Sequence, residues 1–352
     1  MAYTTINKSS LHMNTKLYTG DGATSHALTG VGFQPDLCWI KKRSSPATDH
    51  NLNTSVNLGS GTASQYVLTS NSNEELQDNG STYFQSLDSD GFTIGNSDKV
   101  NANSATFASW NWKANGAGSA NTDGSINTTY TSVNTTAGFS ISQWVGTEAN
   151  ATIGHGLGVA PSMIIIKNTE KATSWTVYHK SLGATKALYL ESTGTPSTHV
   201  AFFNNTEPTS SVFTVGTNDG ANGNGEKNIA YCFAEKTGYS KFGSYVGNGS
   251  SDGSFCYLGF KPAFVMIKIT NDTGENWQMY DNKRTGFNVD NNMLRANLTD
   301  AEQTDDDIDL LSNGFKLRRS SGAFNSDGAN YIYMAFAEAP LVGTNGVTAK
   351  AR

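Results

Sequence analysis

One short pattern of apolar and polar positions occurs three times along the chain. It reads Gly32-Phe33-Gln34-Pro35-Asp36-Leu37-Cys38-Trp39-Ile40-Lys41, then Gly158-Val159-Ala160-Pro161-Ser162-Met163-Ile164-Ile165-Ile166-Lys167, then Gly259-Phe260-Lys261-Pro262-Ala263-Phe264-Val265-Met266-Ile267-Lys268. Each copy is a Gly-x-x-Pro corner followed by an apolar run that ends in Ile-Lys. Tyr18-Thr19-Gly20, Trp144-Val145-Gly146 and Tyr245-Val246-Gly247 each stand 22 residues before the Ile of their pair. Equal spacing in otherwise divergent sequence predicts a triplicated unit.

Proline cannot donate to a sheet ladder, so each corner predicts the start of a strand. The branched run behind it predicts a strand buried on both faces. A second marker follows in Gly91-Phe92-Thr93-Ile94, Val212-Phe213-Thr214-Val215 and Gly314-Phe315-Lys316-Leu317, where apolar residues alternate across a polar one. A third closes each unit: Trp110-Asn111-Trp112, Tyr231-Cys232-Phe233 and Met334-Ala335-Phe336. Units two and three also share Trp175-Thr176-Val177-Tyr178 and Trp277-Gln278-Met279-Tyr280, which unit one lacks, so its middle has diverged. Helical periodicity persists for three turns nowhere; Asp300 to Leu311 comes nearest. The expected fold is all-β, three tandem β-sandwich repeats of jelly-roll or lectin-like type, each of roughly 100 residues. Their signature positions are Pro35, Ile40 and Trp112, Pro161, Ile166 and Phe233, and Pro262, Ile267 and Phe336.

The expected boundaries are an N-terminal docking arm at 1–16, repeat one at 17–114, repeat two at 138–236, repeat three at 237–339 and a C-terminal tail at 340–352. Residues 115–137 are a linker or an extra strand, the latter at Ser125 to Val133 behind the Asp123-Gly124 turn. Almost no linker separates repeats two and three, which predicts that they are closely apposed and that repeat one is more loosely attached.

Charged residues are 15% of the chain, and solubility is carried by Ser, Thr, Asn and Gly. Net charge is −6 and no basic cluster exceeds Lys41-Lys42-Arg43, which argues against nucleic-acid binding. No stretch reaches membrane-spanning length, and Met1 to Asn14 shows no secretory signal. Cys38, Cys232 and Cys256 have no metal or redox spacing and read as small buried hydrophobes. His155 and His179 recur in no other unit, so no catalytic, metal or cofactor site is expected. The acidic run Asp305-Asp306-Asp307-Ile308-Asp309 lacks the alternating calcium-loop pattern and reads as a solvated loop. Asn218 to Gly225 is glycine-rich without a Lys-Ser/Thr and reads as a hairpin connection. The six tryptophans fall on marker strands and read as core, with stacking on sugars the competing use.

Several stretches resemble a family of virion proteins of marine tailed bacteriophages, those of cyanophages and of phages of abundant marine bacteria. They are Ala2-Tyr3-Thr4-Thr5-Ile6-Asn7-Lys8-Ser9, Asn14 to Gly20, Gly30 to Asp36, Trp110-Asn111-Trp112-Lys113, Gly154 to Pro161 and Tyr231 to Glu235. The resemblance implies a non-enzymatic protein on the phage particle surface, made in the host cytoplasm. A tail fibre or tail appendage that contacts the host surface is expected first. A capsid decoration protein is the alternative, and a polysaccharide-degrading spike a third reading, disfavoured by the lack of a paired-acid motif. Expected partners are other virion proteins through the arm, host-surface glycans and further copies of the chain.

Overall fold

The computed structural model describes residues 4–59, 65–284, 288 and 290–342. Strand makes up 42% of the chain and helix 5%, so the protein is all-β, built of several antiparallel sheets. The same order of strands occurs in three of them. In the first segment (13–112) Met13–Thr19 pairs Thr106–Trp112, which pairs Leu37–Lys42, which pairs Asn51–Thr54. In the second (139–233) the order is Phe139–Val145, Lys227–Phe233, Met163–Asn168 and Thr176–His179. In the third (240–340) it is Ser240–Val246, Asn330–Pro340, Phe260–Ile269 and Gln278–Asp281. Opening strand, closing strand, Ile-Lys strand and its hairpin partner thus lie side by side each time.

A second layer pairs His26–Thr29 with Gly91–Ile94 in the first segment and Ala151–Gly154 with Val212–Val215 in the second. In the third, Phe255–Tyr257, Gly314–Leu317, Gln303–Leu311 and Asp290–Arg295 follow one another and run on into Gln278–Asp281. The two layers of the first segment share one apolar cluster, in which Cys38, Ile40 and Phe107 meet Leu28, Phe84, Phe92 and Ile94. The second segment has its counterpart in Ile164, Ile166, Ile153, Phe213 and Val215.

The glycine of each opening marker has a steric reason. A Cβ on Gly20, Gly146 or Gly247 would sit 2.2 Å from the carbonyl oxygen of Ala102, Gly223 or Ser326 respectively. Each of those carbonyls follows a buried asparagine, Asn101, Asn222 or Asn325, whose side-chain oxygen accepts from the main chain just past the glycine. The close approach and the clamp recur together.

Several expectations change. Pro35 and Pro161 precede their strands, but Pro262 lies inside Phe260–Ile269, where the register shifts on both sides of it and relieves the missing N–H. Asn218 to Gly225 is no hairpin: a single helical turn, Asp219–Asn222, is capped by Asn218 and links strands of different layers. The acidic run lies within the strand Gln303–Leu311 rather than a loop, with the side chains of Asp305 to Asp307 outside the described residues. The strand before the second segment is Tyr130–Asn134, five residues later than the expected start at Ser125. The opening strand of the first segment begins at Met13, inside the expected arm, and Pro340 still belongs to the closing strand of the third.

Candidate functional site

The signature side chains divide by strand parity. In the first two segments one set of alternate residues on the Ile-Lys strand, including the fully buried Ile40 and Ile166, packs in the segment's own two-layer cluster, whereas the equally buried Ile267 of the third belongs to the shared cluster. The other set, Leu37 and Trp39, Met163 and Ile165, Phe264 and Met266, enters a cluster common to all three segments. Pro35, Pro161 and Pro262 are buried at the corners. The closing residues Trp112, Phe233 and Phe336 come together. Their ring centroids form a triangle with sides of 6.2, 5.9 and 5.7 Å, each pair meeting edge to face. That geometry sets the positive edge of one ring against the negative face of the next. The first segment is therefore not loosely attached. Its Trp112 is one corner of this junction, and Trp110 packs on Phe264 at 6.0 Å.

The lysines of the three Ile-Lys pairs lie on the same face as the shared core, further along the strand. All three are fully buried and donate only to main-chain carbonyls. Lys41 Nζ bonds Thr48 O of its own hairpin and Thr299 O of the third segment, at 2.6 Å. Lys167 Nζ bonds Thr173 O and Lys171 O of its own hairpin and Asn73 O of the first segment. Lys268 Nζ bonds Glu275 O of its own hairpin and Thr193 O of the second. The second and third segments thus each hand their ammonium to the segment before, and the first closes the circle by handing its own to the third. Burial is the main cause that lowers each lysine to about 8, partly offset by carboxylates nearby: Asp49 and Asp300 for Lys41, Glu191 and Glu75 for Lys167, Glu275 and Asp272 for Lys268.

A second ring of contacts runs in the same sense. Trp175 Nε1 donates to Thr69 O and Ser72 O, and Trp277 Nε1 donates to Tyr189 O. In the first segment His50 stands in the tryptophan's place, one residue before its strand, and its Nε2 bonds Arg295 O at 2.9 Å. Trp39 Nε1 donates to the other ring nitrogen, so His50 is the neutral tautomer protonated at Nε2. Burial holds its pKa well below the usual histidine value. The middle of the first segment has therefore changed its residue and kept its role.

The seam between third and first segments, which no linker crosses, carries an ionic network as well. Arg43 binds Glu302 through two nitrogens at 2.9 and 2.8 Å. Arg284 bonds Glu302 at 3.2 Å and Asp281 at 2.6 Å, and Asp281 also accepts from Trp110 Nε1. Among the described contacts, the other two seams are joined by neutral groups or lysine-to-carbonyl bonds. The arm adds to this seam: Ile6 is buried in the shared cluster and His12 stacks edge-on against Tyr239.

The remaining candidates are built into the core. His155 bonds Thr209 O, and His179, lowered to about 4 chiefly by burial, bonds Tyr333 O of the third segment. The three cysteines are buried and free, and all six tryptophans are buried. Among the described residues no group of three or more His, Cys, Asp or Glu is placed to hold a metal. An open cleft of about 480 Å³ lies between Gly32 to Asp36 and Lys113 to Gly116. Its buried Asp36 is occupied, accepting from the N–H groups of Ala114 and Gly116. Among the described residues no helix is long and apolar enough to cross a membrane. Sequence reasoning located the strands of the junction, but the partners of the three lysines lie in neighbouring segments and carry no local signal.

No curated protein matches the chain. The profile of a family described as a domain of unknown function, DUF7483, matches residues 8–340 in one span. That span takes in all three segments and the arm from Lys8 onward, as a unit with one shared core requires, and the chain belongs to this family.

Proposed function

We propose that the chain is a fused trimer of β-sandwiches serving as a non-enzymatic surface protein of a phage particle, a tail fibre or tail appendage that meets the host. The observation that carries the architecture is the cyclic junction. Three segments of equal strand order donate lysines in one rotational sense around an aromatic triangle, the contact pattern of a closed heterologous trimer. The virion assignment draws its support from the sequence resemblance. A body whose six tryptophans are all buried in well-packed core suits a particle component that must survive outside the cell. In this reading the arm serves the chain's own seam through Ile6, and docking onto other virion proteins falls to exposed surface.

The same three-fold pattern favours a second reading, a head decoration protein seated on a three-fold position of the shell. Copies per purified particle, counted by quantitative mass spectrometry against the major capsid protein, separate the two. Tens or fewer support the tail, and hundreds move the protein to the head. Absence from particles overturns both.

A further inference from the structure

Among the described residues two large aromatic side chains stand exposed. Phe255 and Tyr257 are 46% and 50% exposed and project from one face of the strand Phe255–Tyr257. The fold does not require rings there. Because Leu28, Ile153 and Cys256 each pair with the second-marker phenylalanine, the positions of Phe255 and Tyr257 are filled by Ala27 and Thr29 in the first segment and by Thr152 and Gly154 in the second. The Phe255 ring lies over Gly314, where a side chain would crowd it: an added Cβ would come within 3.1 Å of Cε2. The Lys241 ammonium stands 5.4 Å from the Tyr257 ring centre and donates to Tyr257 O at 2.8 Å. Lys316, opposite Phe255, is paired with the highly exposed Asp252.

An added peptide strand fits this place poorly. In the second segment the equivalent edge is covered by the chain itself, with Ile126 N–H donating to Thr152 O and Ser125 Oγ accepting from Thr152 N–H. In the third segment the edge strand is three residues long and Lys241 caps its outer carbonyl, two devices that discourage strand addition. What remains is a pair of open ring faces two residues apart on a pleated strand, about 7 Å along it. Ammonium and carboxylate groups stand at the rim.

We propose that Phe255 and Tyr257 form a stacking platform for a polysaccharide, whose apolar C–H faces lie on the two rings while Lys241 and Asp252 hydrogen-bond its hydroxyl or carboxylate groups. The proposal rests on the host-contact reading only for the source of the polymer, and its test needs no particle. Purified full-length protein is run through native gels containing laminarin, mannan, dextran or alginate. The expected result is retardation in at least one, weakened about tenfold in Phe255→Ala and in Tyr257→Ala at unchanged melting temperature, as loss of one stacking contact requires. Tyr257→Trp should retain it. Retardation in none of the four polymers, or equal retardation of wild type and both alanine variants, overturns the platform. Direct binding of a labelled peptide copying residues 119–129, lost in both alanine variants and accompanied by no retardation in any polymer, replaces it with strand addition. Each of these results leaves the particle count, and so the virion reading, to be decided separately.

Discussion

Lys41, Lys167 and Lys268 mark the ends of the three apolar runs in the sequence, but nothing local assigns them a role. Here each is fully buried and satisfied by carbonyls of two segments. A folded-state pKa near 8, below the unfolded value of about 10.4, means that protonation opposes folding. Each lysine therefore contributes stability that rises as pH climbs from about 8 towards 10.4. The buried cysteines act in the opposite sense over the same window, because their thiols ionise more readily in the unfolded chain. The wild-type curve alone is thus uninformative, and a paired measurement is required. Denaturant unfolding of wild type and Lys167→Met at pH 7.5 and pH 9.5 should show the wild type gaining on the variant by at most about 3 kcal/mol. A constant gap would mean that Lys167 titrates normally. Asp281→Ala should cost about 3–5 kcal/mol, since it leaves the Arg284 guanidinium buried without its nearest carboxylate. Loss below 1 kcal/mol in the same assay would show that Glu302 alone suffices.

At the scale of the element, the strands were readable because period two survives wherever a strand has one buried face, as in Phe92 and Ile94 or Phe213 and Val215. The Ile-Lys runs also announced burial on both faces, but nothing local says what covers the second face. The covers are strands of other segments, among them those of Trp112, Phe233 and Phe336, so the longer connection after the first segment suggests a looser attachment than the shared core gives it. His50 was invisible for another reason: no identity with Trp175 or Trp277 remains, only the geometry of a ring N–H reaching across a seam. The one-turn helix Asp219–Asn222 is too short to leave a periodic trace, and its capping residue Asn218 passed for turn chemistry. Two element-level consequences can be checked. Gly146→Ala should destabilise by about 1–3 kcal/mol, because the new methyl meets the Gly223 carbonyl at 2.2 Å and main chain must move. Ile6→Ala should cost about 2–5 kcal/mol as measured by denaturant titration, the range for truncating a well-packed core residue. A neutral result at Ile6 would leave the arm free of the seam.

For the whole molecule, the shared core predicts cooperative behaviour that three independent domains would lack. Calorimetry should show one transition, with calorimetric and van't Hoff enthalpies in agreement, and Trp112→Ala should lower that single midpoint. Three separable transitions, with only one moved by the substitution, would instead describe beads on a string. Ile166→Asp should then abolish the transition altogether, since an unpaired charge in the second segment's core costs several kcal/mol that the other segments share.

The arm and the end of the closing strand lie against each other, with Ser10 and Met13 beside Ala337 and Glu338. The ring therefore has no privileged starting point. A chain rewritten to begin with the second segment, pass through the third, cross a short Gly/Ser bridge and finish with the first would retain every lysine hand-over and the aromatic triangle. Only the position of the covalent break would differ. Such a permuted chain should reach the same structure, and its stability relative to the natural order would measure which seam better tolerates the break, the one held by the salt links of Arg43 and Arg284 or the one between the first and second segments.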